Sequence, residues 1–274
     1  MTPQERDALR ARMKRPLARL QNSRTDWYRI QNKAGETPEI FIYDEIGYFG
    51  DSAKGFADQL AKIDAGELVV HLNSPGGDIF DGLAIYQALR NHAATVTVHV
   101  DGLAASIASV IAMAADRLVM APKATMMIHD GWSVCAGNAG EMRKLADLLD
   151  KQSDIIASVY ADRSGQPADF WRDRMRDETW YNAQEALAAG LIDEVEGQEK
   201  KTDEPFDMSV FAHAGRDKAP APVQYEIKGE AGPELVALTK EGETTPSPVV
   251  SKESEPFVWD FASFAKSLKE GIRG

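Results

Sequence analysis

Residues 68–78 read LVVHLNSPGGD. A β-rich apolar run breaks off at Asn73-Ser74-Pro75-Gly76-Gly77-Asp78, a strong turn signal. An amphipathic stretch over 79–91 follows at once. A strand that enters a glycine turn and opens a helix is one half of a β–α unit. The pattern repeats outward on both sides. Upstream, 39–43 is a short apolar strand candidate and 52–63 has helical spacing, ended by Gly66. Downstream, 95–100 is a strand of β-branched residues and 102–115 an apolar, alanine-rich helix. Strands are predicted at 117–120 and 125–128, and a short helix at 183–189 before Gly190. A long helix spans 140–164, with Met142, Leu145, Leu148, Leu149, Ile155, Ile156 and Val159 on its inner face. Strands alternating with helices give a layered α/β domain with right-handed crossovers.

The ends of the chain differ from this middle. Residues 1–24 hold seven Lys/Arg and two Asp/Glu, and read as a basic N-terminal arm. Residues 195–274 hold ten basic and fifteen acidic residues and seven of the thirteen prolines. The organisation predicted is an arm at 1–24, the layered α/β domain at 25–199 and an acidic, proline-rich, mostly extended linker at 200–256. A short amphipathic segment at 257–274 closes the chain, with Phe257, Trp259, Phe261, Phe264 and Leu268 on one face. The net charge of −12 over 274 residues argues against a protein that coats nucleic acid, which needs cationic surface. The single cysteine, Cys135, excludes an intramolecular disulfide framework and any multi-cysteine metal site. No apolar run is long enough to span a bilayer, and the first residues lack the apolar core of a secretory signal. A soluble protein of a reducing compartment is expected, with no membrane and no nucleic acid as partner.

Three places carry chemistry. The NSPGGD loop offers backbone N–H groups to a phosphate or a developing oxyanion, yet lacks the spacing of a nucleotide-binding loop. In Gly102-Leu103-Ala104-Ala105-Ser106-Ile107-Ala108-Ser109, Ser106 follows a strand at the start of a helix, and the alanines around it leave its hydroxyl accessible. In Met126-Met127-Ile128-His129-Asp130, a histidine stands at a strand exit, where site residues of α/β folds gather. A serine hydroxyl needs such a base within hydrogen-bond reach. His71 and His99 lie inside strands, His92 at a helix end and His213 in the linker. An acid that orients the imidazole has four candidates, Asp130, Asp177, Glu178 and Asp193. Asp130 adjoins His129, and adjacent side chains of an extended chain point apart.

Together NSPGGD, GLAASIAS, MMIH and ETWYNAQEALAAGLIDEV resemble the ClpP-type serine peptidases, over residues 39–195 or about 57% of the chain. The wording HDGWSVCAGNAGEMRKLADLLDK and MRDETWY is most similar to the ClpP-related head maturation (prohead) proteases of tailed phages. The resemblance implies a ClpP/crotonase-like layered fold of repeated β-β-α units, with an extended N-terminal arm and a mostly flexible C-terminal tail. It implies Ser106 as nucleophile, His129 as general base, and the N–H groups of Gly77 and Ile107 as oxyanion hole. Counting back from Ala183, Glu178 takes the place of the family's aspartate as orienting acid, with Asp177 as the alternative. No metal or cofactor is implied. The partners implied are capsid scaffold and coat proteins as substrates and further copies of the chain in a ring; an ATPase partner is not implied. The expected location is the host cytoplasm and the procapsid or virion.

Rival readings are a bacterial ClpP-like subunit fed by an ATPase unfoldase and a non-catalytic assembly protein that keeps the fold. A crotonase-type acyl-CoA enzyme needs no serine at 106, and Cys135 as nucleophile sits away from any helix start.

Overall fold

The computed structural model describes residues 27–47, 52–196, 208, 211–213 and 215–222, and the backbone of three strands beyond. The basic arm at 1–24 and the segment at 257–274 lie outside the described residues. Two units divide the chain at Pro222.

The first unit is built on eight strands. They are β1 (Tyr28–Gln31), β2 (Glu39–Tyr43), β3 (Glu67–Ser74), β4 (Thr95–Ala105), β5 (Arg117–Met120), β6 (Thr125–Ile128), β7 (Thr179–Asn182) and β8 (Glu194–Val195). Six helices connect them: α1 (Ala53–Leu60), α2 (Ile79–Arg90), α3 (Ile107–Ala112), α4 (Ala139–Ser164), α5 (Ala168–Arg176) and α6 (Ala183–Ala188). The main path runs β1-β2-β3-β4-β5-β8, antiparallel only at β1–β2, and β6 joins β4 in parallel and β7 antiparallel. Alternation puts Ile40, Ile42, Val70, Leu72, Val98 and Val100 on one fully buried face, against which α1 and α2 pack their apolar stripes. The α/β layered architecture read from the sequence is the one observed.

Three local readings are corrected. The helix predicted over 102–115 is strand through Ala105, and only 107–112 is helical. The cause is a change of partner: β4 pairs β5 through Thr97–Val100, then bends and pairs β6 through Leu103–Ala105. The Asn73 side chain accepts the Leu103 N–H at 3.0 Å at this bend. Next, α4 does not bury the whole face assigned to it. Ile156 and Val159 are buried, but Met142, Leu148 and Ile155 are exposed, because the buried stripe of the helix begins only at Ser153 and Ile155 falls outside it. Finally, the linker over 200–256 contains structure. Residues 208, 211–213 and 215–222 belong to the first unit. The second unit is an antiparallel sheet of Gln224–Lys228, Glu234–Leu238 and Thr244–Thr245, with Leu235 opposite Ile227. QYEIK and ELVAL each alternate over only five residues, and the surrounding Pro, Gly and charge masked them.

Candidate active site

Ser106 occupies the joint between β4 and α3 with φ 56° and ψ −130°, a conformation that bulky L-residues rarely adopt. Its N–H donates to the Met127 carbonyl of β6 at 2.9 Å, which fixes the joint against the neighbouring strand. Its side chain does not cap α3. Instead Oγ lies 2.7 Å from His129 Nε2. A strained serine whose hydroxyl is turned to an imidazole is a functional arrangement, not a capping one. Behind it, Ser109 Oγ donates to the Ser106 carbonyl at 2.5 Å and is 2.7 Å from the Tyr160 hydroxyl. Burial pushes the Tyr160 phenol well up, so it stays protonated and supplies the hydrogen of that second bond.

His129 is the first residue after β6, and the two residues after it are tied down. The Asp130 N–H donates to the Met175 carbonyl at 3.1 Å, and the Gly131 N–H to Ser153 Oγ at 3.0 Å. The Asp130 carboxylate is bonded to Arg172, which also reaches Asp154 at 2.7 Å and Asp150 at 3.1 Å. Asp130 therefore turns away from the histidine next to it, as its place on an extended chain predicts. The Phe211 ring stands edge-on to the His129 ring, with centroids 5.6 Å apart and planes at 88°.

The glycine loop lies against this serine. A Cβ on Gly76 would come within 2.7 Å of Ser106 Cβ, and one on Gly77 within 2.0 Å of the Ile46 carbonyl oxygen. Both have positive φ, 97° and 153°. Ile46 donates to the Gly76 carbonyl at 2.8 Å and accepts from the Asp78 N–H at 2.9 Å. In such a parallel bridge the N–H of the residue between, Gly77, faces the other way. Ser74 and Asp78 hold the rest of the turn: Ser74 Oγ accepts from Gly76 N, and Asp78 caps α2. A cavity of about 140 Å³ opens here, lined by Gly77, Ser106, Ile107 and His129 with Val110, Leu149, Ile156 and Phe211.

The structure separates the four acids. Asp193 is bonded to Arg163 at 2.5 Å and to the Leu118 N–H at 2.6 Å, between β5 and β8. Asp177 is exposed at the end of α5. Glu178 is buried, with φ 49°. Extending the β6–β7 register past Ile128–Thr179 sets Glu178 across from His129. Its carboxylate, however, accepts from the Ala212 N–H at 2.6 Å, the His213 N–H at 2.8 Å and Trp180 Nε1 at 3.2 Å. Among the described residues these are its partners. The glutamate read as orienting acid is thus placed beside the histidine but spent on the backbone of a later segment. The sequence reading did not single out Ser153, Tyr160, Arg172 or Phe211. Ser109 stood inside the GLAASIAS motif, but its role is set by Tyr160, 51 positions away. The described residues contain no cluster of three His, Cys, Asp or Glu side chains placed to hold a metal ion, and no helix long and apolar enough to cross a membrane.

The Clp protease family matches residues 21–199, well over half of the chain. The chain belongs to the Clp protease family. It is a serine endopeptidase of the ClpP type, with the family's motifs brought into one pocket. The ATP-dependent Clp protease proteolytic subunit of Bacteroides fragilis is 35% identical over 161 residues, 57% of this chain and 77% of that one. The subunit of the same name from Ligilactobacillus salivarius is 32% identical over 180 residues, 64% and 90% of the two chains. That from Deinococcus radiodurans is 33% identical over 138 residues, 49% and 67%. The family match ends at residue 199, before the segment that reaches Glu178 and His129.

Proposed function

We propose that this chain cleaves extended polypeptide segments by acylation of Ser106, as the proteolytic subunit of a Clp-type machine. The observation that carries the reading is the 2.7 Å contact of Ser106 Oγ with His129 Nε2 at a strained strand-to-helix joint. His129 takes the hydroxyl proton as Oγ attacks the scissile carbonyl, then returns it to the leaving amine. The N–H groups of Gly77 and Ile107 receive the oxyanion. The Ile107 N–H is the first of α3 and has no carbonyl below it in the helix. Loss of one such donor costs about 10²–10³ in rate. The peptide lies extended beside the glycine loop, and an apolar side chain on it fits the cavity, whose lining includes Val110, Leu149 and Ile156. Water then resolves the acyl-enzyme.

The name shared by the relatives, ATP-dependent, favours an ATP-driven partner that delivers substrate, as in the rival reading of the sequence. Exposed Met142, Leu148 and Ile155 on α4, with Trp132 and Val134 just before it, support assembly of several copies. A second reading is favoured by the segment past residue 199 and by the wording of 129–151: a head maturation protease acting on capsid scaffold or coat proteins, and on its own tail, in the host cytoplasm and procapsid.

One experiment tests both. Ser106→Ala should abolish cleavage of an unfolded protein substrate and labelling by a fluorophosphonate. Cleavage that survives the change overturns the serine assignment. Intact mass of the purified wild-type chain, beside its capture by an ATPase unfoldase, then separates the readings. A shortened chain without capture supports head maturation, and an intact chain with capture supports the Clp machine.

A further inference from the structure

The segment that follows the family domain is built into the active site. Leu103, Ala105, Met127 and Trp180 project from β4, β6 and β7 on the face opposite the main core, where Ala104, Met126 and Tyr181 lie. Phe211 covers that second face, 8% exposed, with Met208 and Ala219 packed beside it. Its ring meets Trp180 edge-on at 5.9 Å and His129 edge-on at 5.6 Å. Two carboxylates of the family domain hold the segment. Glu178 accepts the N–H groups of Ala212 and His213, and Glu185 pairs through both oxygens with Arg216. Arg216 in turn donates to the Ala219 carbonyl at 3.1 Å.

We propose that residues 211–213 and 215–219 are a positioning element of the catalytic site: Phe211 sets the His129 ring, and Glu178 acts through Phe211 by anchoring the backbone behind it. The inference rests on the reading of Ser106 and His129 given above. A plug that blocks the site would fill the cavity or engage the serine. Among the described residues of the segment, Phe211 alone lines the cavity, and the Ser106–His129 contact remains 2.7 Å. Three donors converge on the buried Glu178 carboxylate, two of them backbone N–H groups of this segment, so removing its charge frees the segment while the apolar packing stays whole.

The test uses the full chain as wild type, Phe211→Ala, Phe211→Leu, Glu178→Gln and the Phe211→Ala/Glu178→Gln double variant. The readouts are kcat and KM on an apolar fluorogenic peptide, the rate of fluorophosphonate labelling at Ser106, and thermal unfolding. Displacement of a catalytic group by about 1 Å costs on the order of 10²-fold, so Phe211→Ala and Glu178→Gln should each lower kcat about 10- to 100-fold, with KM within about twofold. The double variant should be no slower than the slower single one, because both changes release the same contact. Phe211→Leu should recover most of the rate. If Phe211→Ala fails to fold, Glu178→Gln decides. Unchanged or raised kcat on releasing the segment overturns the proposal. So do additive losses, which would mean that Glu178 acts on the imidazole directly. A wild-type chain that does not label at Ser106 overturns the underlying reading instead, a result distinct from normal labelling that Phe211→Ala leaves untouched.

Discussion

Gly76→Ala tests whether the glycine loop and the nucleophile are fitted to one another. The new Cβ would stand 2.7 Å from Ser106 Cβ, 2.8 Å from the Ala105 carbonyl oxygen and 3.2 Å from the Ile107 nitrogen. Carbon atoms in contact sit about 3.5–4.0 Å apart, so the loop and the serine must separate by roughly 1 Å. All three obstructing atoms belong to the rigid joint between β4 and α3, and none is the end of a flexible side chain. The backbone adds a second cost, since φ at this position is 97°, where alanine is strained by about 1–3 kcal/mol. The expected result is a protein less stable by that amount or somewhat more. Its kcat on a peptide substrate should be about 10²-fold down, because a shift of that size misplaces a reacting atom. Peptide hydrolysis and fluorophosphonate labelling, both well below the unfolding temperature, separate the two effects. A Gly76→Ala protein that keeps kcat within twofold would refute the reasoning.

Three further outcomes follow from the surroundings of the site. Ser109→Ala strands the buried Tyr160 hydroxyl and should cost about 1–3 kcal/mol in chemical denaturation, whereas Tyr160→Phe leaves the Ser109–Ser106 bond in place and should cost less. Arg172→Met removes the cation shared by Asp130, Asp150 and Asp154. The loss should be about 2 kcal/mol, below that of a fully buried pair because the Asp150 and Asp154 side chains are 75% and 69% exposed, with a fall in kcat through the loop at His129. The Arg216 bond holds the Glu185 carboxyl below the usual carboxylate range. A lowered folded-state pKa gives stability that is full above the ordinary carboxylate value of about 4.3 and is lost as pH falls through the lowered value. Limited proteolysis should therefore nick wild type near 208–222 only in that acid window, and Glu185→Gln already at neutral pH.

The sheet was legible because its strands obey a period of two and its turns use Gly, Pro and Asn. Ile40, Ile42, Val70, Leu72, Val98 and Val100 alternate in sequence and lie on one buried face in the fold. The errors came where local pattern and tertiary pairing disagree. Gly102-Leu103-Ala104-Ala105 looks helical by composition, but a strand edge offered by β6 was free to pair it. The apolar spacing of α4 has no register that tells which turns meet the sheet, so Met142 and Leu148 read the same as Ile156 and Val159.

Within the site, the legible residues were those whose chemistry lies in their own atoms and whose neighbours in sequence set their geometry. A serine after a strand, a histidine at a strand exit and glycines where a Cβ would strike the next loop each carry a local sign. The illegible residues act through contacts made far along the chain. Ser109 is explained only by Tyr160, Asp130 only by Arg172, 42 positions on, and Glu178 only by the amides of Ala212 and His213, 34 and 35 positions on. Glu178 shows the consequence most sharply. Its position in the motif pointed to the family's orienting acid, and the register does set it across from His129. A carboxylate that already accepts three N–H donors has its lone pairs directed at those donors, however, and an imidazole must compete for them. The carboxylate at this motif position is thus bound to amides that lie in a segment that composition alone reads as linker.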